Sequence, residues 1–272
     1  MLPIDEALLL VALGIIIGVY SISIGAGGGF LVAPLLLLRH PDADPAVITT
    51  ASLAVVVITS LASSAVVLRE RRVDLPVAFV LAAISIPAGL LGALGTAALP
   101  REVFAVGFAI LLVALALYLV RWPTAPPPPL GATGAPRHIE DRQGHSFDYR
   151  IPVRRSIAPN LGMAFLAALA GIGGGSIGVP IMTRIMRIPH AIAVPTIQVR
   201  SAMNAGAIVL FHLALGHAGD PMRDVIFLGI GVIIANPFGQ RVRRSVGEGP
   251  LMHALALSLL LVAARTAFGA FQ

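Results

Sequence analysis

The sequence predicts an all-α polytopic membrane protein made of two inverted repeats, each a glycine-broken helical hairpin followed by three transmembrane helices. Of the 272 residues, 57% are hydrophobic and only 12% are charged, a composition typical of membrane proteins. Apolar stretches recur along the chain, and most are long enough, at ~17–25 residues, to cross a bilayer. A glycine motif occurs once in each half. The stretches span residues 7–38, 46–68, 76–98, 102–120, 157–185, 190–216, 224–240 and 249–270.

Arginines set the predicted orientation, because short loops rich in basic residues stay in the cytoplasm. All nineteen basic residues are arginines, and most lie between apolar stretches. If the cluster at 69–72 is cytoplasmic, then residues 121–155 and the cluster at 241–244 are cytoplasmic too, and both termini are periplasmic. The net charge of +6 is therefore explained by topology, and nucleic acid is not an expected partner.

The glycine motif relates the two halves. Gly25 opens the run Gly-Ala-Gly-Gly-Gly before Pro34, and 146 positions later Gly171 opens Gly-Ile-Gly-Gly-Gly before Pro180. With the orientation predicted from the arginines, the stretch after the first motif, 46–68, runs inward. Its counterpart in the second half, 190–216, runs outward. The repeats are therefore predicted to be inverted, an architecture common among secondary transporters.

The segment between the halves has a different composition. Residues 121–155 are rich in proline, glycine and polar residues, include the run Pro126–Pro129 and have no apolar period, which is typical of a linker. The predicted domains are a first membrane repeat at 1–120, a cytoplasmic linker at 121–155 and a second membrane repeat at 156–272.

The first stretch of each repeat is predicted to be a broken hairpin. Residues 7–38 and 157–185 must each return to the side they came from, yet two complete spans need about 40 residues. The glycine runs fall near the middle, where glycine tolerates a bend. The half-helix after each break would point its positive N-terminal end at the membrane midplane, which favours an anion. The alternative is that the glycines only allow close helix packing. The candidate residues are Gly27, Gly28, Gly29, Gly173, Gly174, Gly175 and Ser176.

Arg200 is the sharpest single candidate, because it lies near the centre of an apolar stretch, where a charge costs at least ~2.5–3.5 kcal/mol. On a helical period its face is polar, shared with Thr196, Asn204 and, at the margin, Ser201 and Gln198. Such a face suits a sulfonate, sulfite or carboxylate held by a fork of donors. The alternatives are a structural bond to a buried carbonyl and a misplaced helix boundary. All thirteen carboxylates lie in loops or at segment ends, so the expected counter-ion is the substrate.

Three further candidates are polar residues within apolar stretches. Asn236 precedes Pro237 and would face a cavity there, although a plain proline kink is the alternative. Thr50 and Ser52 occupy, in the first half, roughly the place of Val194 to Thr196. Hydroxyls in the middle of a helix often bond back to their own helix.

These residues also resemble a known family, the TauE/SafE group of sulfite and organosulfonate transporters. The resemblance covers both halves but not the linker. It rests on Gly25 to Pro34, its copy at Gly171 to Pro180, the helix start at Thr49 to Ser52, and Gly206 with His212 and Gly216. It implies transport of sulfite, sulfoacetate or related sulfonates across a bacterial inner membrane. The second half departs from the first by placing the charged Arg200 in its third helix.

The expected function is secondary transport of a small anion by alternating access. An anion channel is the alternative, and a unitary flux above ~10⁵ ions per second, far beyond typical turnover numbers, would indicate it. The chain has no cysteine, and its membrane segments offer no carboxylate or close histidine pair for acid–base or metal chemistry. No enzyme activity, metal or cofactor is therefore expected. The expected partners are a small anionic substrate and the lipid bilayer, with a homodimer left open.

Overall fold

The structure, a computed structural model, describes residues 3–25, 27–121, 134–246 and 248–270, which are mostly helical and include one two-stranded sheet. The helices of the first half are α1 (Ile4–Ile24), α2 (Gly29–Arg39), α3 (Pro45–Arg69), α4 (Leu75–Ala97) and α5 (Arg101–Arg121). The second half holds β1 (Ala135–Glu140), β2 (Ser146–Ile151), α6 (Val153–Leu169), α7 (Gly175–Pro180), a π-helical turn (Ile181–Ile185), α8 (His190–Ala214), α9 (Pro221–Ser245) and α10 (Glu248–Ala270).

Five of the helices in these ranges are long and apolar enough to cross a membrane. They are α1, α3, α4 and α5 over their full lengths, and residues 221–243 of α9. Helix α8 has 25 residues, which is sufficient length, but its polar residues keep it out of this group. The predicted fold class, an all-α polytopic membrane protein, is confirmed.

The helix is interrupted at both glycine motifs, but the two arms of each hairpin differ in length. Helix α1 has 21 residues and ends where Gly25 takes a left-handed φ of 79°. The returning α2 has only 11 residues, and α7 has six residues before the π-helical turn. The sequence analysis placed the first break near the middle of its stretch, whereas α1 is long enough to span a bilayer before the break begins.

The helices pack in reciprocal pairs. Helix α1 lies against α9 and α6 lies against α4, while α3 packs on α8, α5 packs on α10, and α3–α9 is matched by α4–α8. Let each helix of the first half correspond to the helix five positions later, so that α1 corresponds to α6 and α5 to α10. When every helix is exchanged for its counterpart, each of these contacts becomes another contact of the set or stays the same. A two-fold relation between the halves would produce this pattern. The inverted orientation of the repeats stays a prediction.

Glycines allow the closest of these helix pairs to form. A Cβ atom added to Gly231 of α9 would collide with the backbone of Val11 and Gly14 in α1, and one on Gly92 of α4 would collide with the carbonyl of Phe165 in α6. In a membrane, such close backbone approach replaces the hydrophobic effect as the source of helix association. Close packing therefore explains these glycines, which lie outside the two motifs.

The linker contains a β-hairpin, which the sequence analysis did not predict. Strands β1 and β2 pair antiparallel from Ala135 opposite Ile151 to Glu140 opposite Ser146, and α6 begins at residue 153, inside the range predicted as linker. The run Pro126–Pro129 lies outside the described residues. The end of the helix bundle that carries this hairpin, together with the end of α3 and the starts of α4 and α8, is called the hairpin end below.

Asp74 attaches the hairpin to the helices. It caps α4, accepting a hydrogen bond from the N–H of Val77. The same buried carboxylate accepts hydrogen bonds from Arg137 Nε of β1 at 2.8 Å and from the Tyr149 hydroxyl of β2 at 2.6 Å. Burial and the bond to Asp74 raise the pKa of Tyr149. Its hydroxyl therefore stays a donor at physiological pH.

Asp141, in the hairpin turn, makes the second attachment. Its carboxylate accepts a hydrogen bond from Arg72 Nη2 at 2.7 Å and two from the backbone N–H groups of Gln143 and His145. Burial alone would raise the pKa of Asp141, but the bonds from His145, Arg72 and Gln143 hold it well below its ordinary value. The ion pair with Arg72 is therefore fully formed at neutral pH.

We expect Asp141→Asn to release the hairpin from the helix ends. Loss of one charge-assisted attachment should speed amide exchange in residues 135–151 by roughly tenfold. Because the folded-state pKa is lowered, the attachment is present above the ordinary carboxyl pKa of about 3.9 and is lost only as pH falls further. Hydrogen exchange at pH 7 measures the effect. Asp148→Asn is the matched control, since that exposed carboxylate pairs with His138 inside the hairpin and, among the described residues, with no side chain of the helices, and equal exchange in both variants would contradict the prediction.

Candidate functional site

The two glycine breaks touch each other inside the bundle. A Cβ atom on Gly29 would lie 2.6 Å from the carbonyl oxygens of both Gly171 and Ile172, a separation that real Cβ atoms essentially never show. Gly28 and Gly174, which precede α2 and α7, have left-handed φ angles of 84° and 80°, a conformation that glycine adopts at no steric cost. The motif glycines are therefore required for both close approach and backbone conformation.

Ser52 of α3 joins the two breaks. Its buried hydroxyl lies 2.8 Å from the carbonyl oxygen of Gly171 and 3.2 Å from that of Gly29. One hydroxyl hydrogen can serve only one of these acceptors at a time, and the shorter distance favours Gly171. Thr50 behaves differently, because its hydroxyl donates to the Ala46 carbonyl of its own helix at 2.6 Å, the alternative that the sequence analysis left open.

The breaks pass between α3 and α8, which lie at the centre of the bundle. A Cβ on Gly25 would meet the side chain of Val194 in α8, and one on Gly171 would meet Thr49 in α3. Val56 of α3 packs against Gly27 and Gly173. Each motif thus approaches the early part of the third helix in the opposite half of the chain.

The two half-helices begin close to this contact with unused polar groups. No side chain caps α2 or α7, and the first N–H groups of a helix have no acceptor within it. Among the described residues, the buried hydroxyls of Ser21 and Ser176 also have no hydrogen-bond partner. Ser176 belongs to the first turn of α7, and Ser21 lies beside Gly28. Donors are therefore available at both half-helix ends.

Arg200 is buried, with 2% of its surface exposed. Its Nη2 donates to the Ser85 hydroxyl of α4 at 2.5 Å, and its Nη1 lies 3.6 Å from the Met163 sulfur of α6. Its Nε has no partner in the described part of the chain, and no carboxylate there forms an ion pair with it. A thioether is a weak acceptor, so much of the guanidinium's donor capacity is unused.

The polar face of α8 lies along α4. Thr196 accepts a hydrogen bond from the backbone N–H of Asp74 at 3.0 Å, Arg200 contacts Ser85, and Asn204 lies beside Gly89. The structure thus brings Thr196, Arg200 and Asn204 together on one face.

The remaining polar candidates on α8 are also buried. They are Gln198 and Ser201, exposed by 1% and 3%. Gln198 is two residues, or about 200°, away from Arg200 and faces a different side of the helix. Its amide nitrogen and the Asn204 amide oxygen have no partner within the described ranges.

Asn236 has a structural contact. Its side-chain amide donates to the Ala62 carbonyl of α3 at 2.8 Å, and its own oxygen lies 3.4 Å from the Gln240 amide. It links α9 to α3 next to Pro237, where the proline removes a backbone donor.

Ser85, the partner of Arg200, was missed by the sequence analysis. It is one of two hydroxyl residues in the apolar stretch 76–98, and that isolation was a usable signal. The approach of His212 Nδ1 to His217 Nδ1 at 2.9 Å was missed as well, because His217 lies beyond the end of α8. The described residues hold no cluster of three or more histidine, aspartate or glutamate side chains that could bind a metal.

A cavity of about 640 Å³ opens at the hairpin end. Its apolar lining consists of Ala191, Val194 and Pro195 of α8, Val66 of α3 and Val246. Val194 also contacts Gly25 at the first break. The cavity therefore extends from the hairpin end to within one side chain of Gly25, at the start of the first glycine break.

Comparisons with known proteins relate the chain to membrane transporters. The family described as Sulfite exporter TauE/SafE matches residues 10–266. A probable membrane transporter protein, YunE of Bacillus subtilis (strain 168), is 26% identical over 260 residues, which cover 93% of this chain and 94% of the relative. No solved structure matches the chain.

We expect Gly29→Ala to force the two breaks apart, because the new methyl group would overlap two backbone carbonyls. Overpacking of this kind costs ~1–3 kcal/mol. Thermal unfolding of the purified protein should shift to lower temperature, and transport should fall. Gly107→Ala in α5 is the control, since nothing lies within 4 Å of its added Cβ. Unaltered unfolding and transport in Gly29→Ala would show that the contact is dispensable.

Proposed function

The chain belongs to the TauE/SafE sulfite exporter family, and from this premise we propose that it is a secondary transporter of a small sulfur oxyanion. Sulfite, sulfoacetate and related sulfonates are the substrate class. The proposed mechanism is alternating access across a bacterial inner membrane. The observation that carries the choice of an oxyanion is Arg200, a buried guanidinium with no carboxylate partner among the described residues.

Arg200 has the chemistry that an oxyanion requires. A guanidinium presents five N–H donors in a planar fork, and here one hydrogen bond goes to a hydroxyl and one contact to a sulfur. A sulfonate or sulfite offers oxygen atoms that match two parallel N–H groups. The substrate would replace the Met163 contact with a stronger bond and would neutralise the buried charge.

The half-helices supply the second part of the proposed site. Met163 contacts Arg200 and also lies beside Gly178 of α7, so Arg200 flanks the second half-helix. The free N–H groups at the start of α7 and the unpartnered Ser176 hydroxyl would bind the remaining oxygens. Helix N-termini favour anions because they carry a partial positive charge.

Access from one side at a time is supported by the cavity. It approaches the glycine contact from the hairpin end, where it reaches Val194. In the proposed mechanism, the touching breaks and Ser52 would close the path beyond Val194. Alternating access would require the two breaks to part on the opposite side, as inverted-repeat transporters do when one repeat rocks against the other.

We expect Arg200→Ala to weaken sulfite binding by roughly tenfold or more, the value of a hydrogen bond to a charged group. Arg200→Lys keeps the charge but loses the planar fork, so its affinity should be intermediate. Both variants should fold, because no buried carboxylate is left unpaired. Equilibrium binding to purified protein measures the effect, with sulfoacetate, taurine and carboxylate analogues defining the substrate class.

Arg265→Ala is the control for Arg200, since Arg265 is an exposed arginine within the apolar helix α10. Its sulfite affinity should equal that of the unaltered protein. If well-folded Arg200→Ala also binds sulfite with unaltered affinity, Arg200 is not the anion site. Collapse of the fold in Arg200→Ala would assign it a structural role instead.

We expect both termini to be periplasmic and the hairpin to be cytoplasmic. The reason is the concentration of arginines at the hairpin end, which includes Arg69, Arg71 and Arg72, together with the positive-inside rule. Reporter tags at each terminus and in the hairpin turn at Gly144 measure sidedness in cells. A cytoplasmic C-terminus would refute the threading on which the inverted repeats depend.

A further inference from the structure

The cavity at the hairpin end has a positively charged entrance. Its lining includes four arginines, Arg69, Arg72, Arg142 and Arg243, and two carboxylates, those of Glu70 and Asp141. With histidine counted as neutral, this part of the lining carries a net positive charge. The positive charge surrounds an opening that leads to the apolar floor.

Two of these arginines form no ion pair with any carboxylate in the part of the chain that the structure describes. Arg72 is paired with Asp141 at 2.7 Å, and Arg243 Nη2 lies 3.9 Å from Glu70. Arg69 and Arg142 form no ion pair and no side-chain hydrogen bond with any residue in the described ranges, although both line the cavity. Their guanidinium groups therefore keep all their donors for a ligand.

The hairpin holds these two arginines near each other. The backbone N–H of Arg142 donates to the carbonyl of Glu70 at 3.1 Å, and Glu70 directly follows Arg69 in the chain. The neighbouring Asp141 is bound to Arg72, so the hairpin turn is attached at two successive residues. One arginine from the hairpin and one from the end of α3 thus stand on either side of a single backbone hydrogen bond. The backbone positions of the two arginines are therefore fixed relative to each other, which removes part of the entropic cost of binding.

We propose that Arg69 and Arg142 form a capture site for one small oxyanion, distinct from Arg200 and placed at the entrance of the cavity. The ligand class is a sulfite, sulfate, sulfonate or phosphate group, whose oxygens accept hydrogen bonds from two guanidinium groups. A positively charged cleft raises the local concentration of anions and their association rate. The role of this site in transport rests on the proposed function, whereas its binding of an anion does not.

The absence of cysteine from the chain allows a direct test. Ala191→Cys places a single thiol in the cavity, below the entrance. In neutral phosphatidylcholine nanodiscs, the rates of reaction are measured with a methanethiosulfonate that carries a sulfonate and with one that carries a trimethylammonium group. Relative to Ala98→Cys at the opposite end of the bundle, the anionic-to-cationic rate ratio should be higher by about tenfold. Equal ratios at the two positions would overturn the proposal.

Removing the two arginines should abolish this selectivity. In the Ala191→Cys background, Arg69→Gln with Arg142→Gln should bring the rate ratio close to that of the Ala98→Cys control. Arg241→Gln is the matched control, because Arg241 is an exposed arginine at the same end of the bundle that does not line the cavity. An equal loss of selectivity in Arg241→Gln would assign the effect to the general surface charge and would overturn the site.

Inorganic sulfate tests occupancy of the capture site. It is the chosen probe because sulfite itself cleaves the mixed disulfides that these reagents form. At constant ionic strength, sulfate should slow modification of Ala191→Cys, and the Arg69 and Arg142 substitutions should remove this protection. If sulfate does not protect Ala191→Cys when both Arg69 and Arg142 are present, the proposal is overturned. If phosphatidylglycerol in the nanodisc protects the thiol as sulfate does, a lipid headgroup is the occupant and capture of a free anion is overturned.

Two comparisons separate this site from the proposed substrate site. Arg200→Ala should leave the reagent selectivity and the sulfate protection unaltered, because neither depends on the deeper site. Substitution of Arg69 and Arg142 should raise the KM for sulfite entering from the hairpin side without lowering the maximal rate. A lowered maximal rate with unaltered KM would overturn capture even if sulfite transport itself is established.

Discussion

The contact between the two glycine breaks is the constraint on which the rest of the structure depends. Non-helical backbone at membrane depth is stable only when protein or a wet cavity satisfies its polar groups. Here each break is packed against the other, with Gly29 against Gly171, and the Ser52 hydroxyl lies within hydrogen-bond distance of both carbonyls, closer to that of Gly171. Both breaks also contact α3 or α8, and these two helices pack on each other and on α9 and α4.

The sequence predicted those parts of the fold that local chemistry determines. Hydropathy identified the apolar stretches, and the duplicated motif located both interruptions, because only glycine takes left-handed angles without cost. The hairpin was missed, although its strands alternate between exposed and partly buried residues. Their length of six residues each is short, and their stability comes from Asp74 and Asp141, whose partners are distant in the chain. The first broken helical hairpin has two arms of unequal length, α1 and α2. These lengths likewise depend on distant contacts, namely the packing of α1 against α9.

For the candidate site, the sequence identified the candidate residues better than the directions in which their side chains point. The burial of Arg200 followed from its apolar surroundings, and the lack of a carboxylate partner followed from where the acidic residues lie. Its orientation towards Ser85 and Met163 could not be predicted, because it depends on which helices flank α8. The same reason applies to Ser52, whose acceptors belong to both halves of the chain, and to Asn236, whose partner is a carbonyl on α3.

Asp74 connects the hairpin with the helix that carries Arg200. Its carboxylate binds Arg137 and Tyr149 of the hairpin, and its backbone N–H binds Thr196, one turn before Arg200. A shift of α8 against α4 would stretch this bond and alter the attachment of the hairpin, because both attachments meet at one residue. The hairpin in turn positions Arg142 at the cavity entrance. The hairpin is thus bonded to both regions, to the polar face of α8 through Asp74 and to the entrance through Arg142.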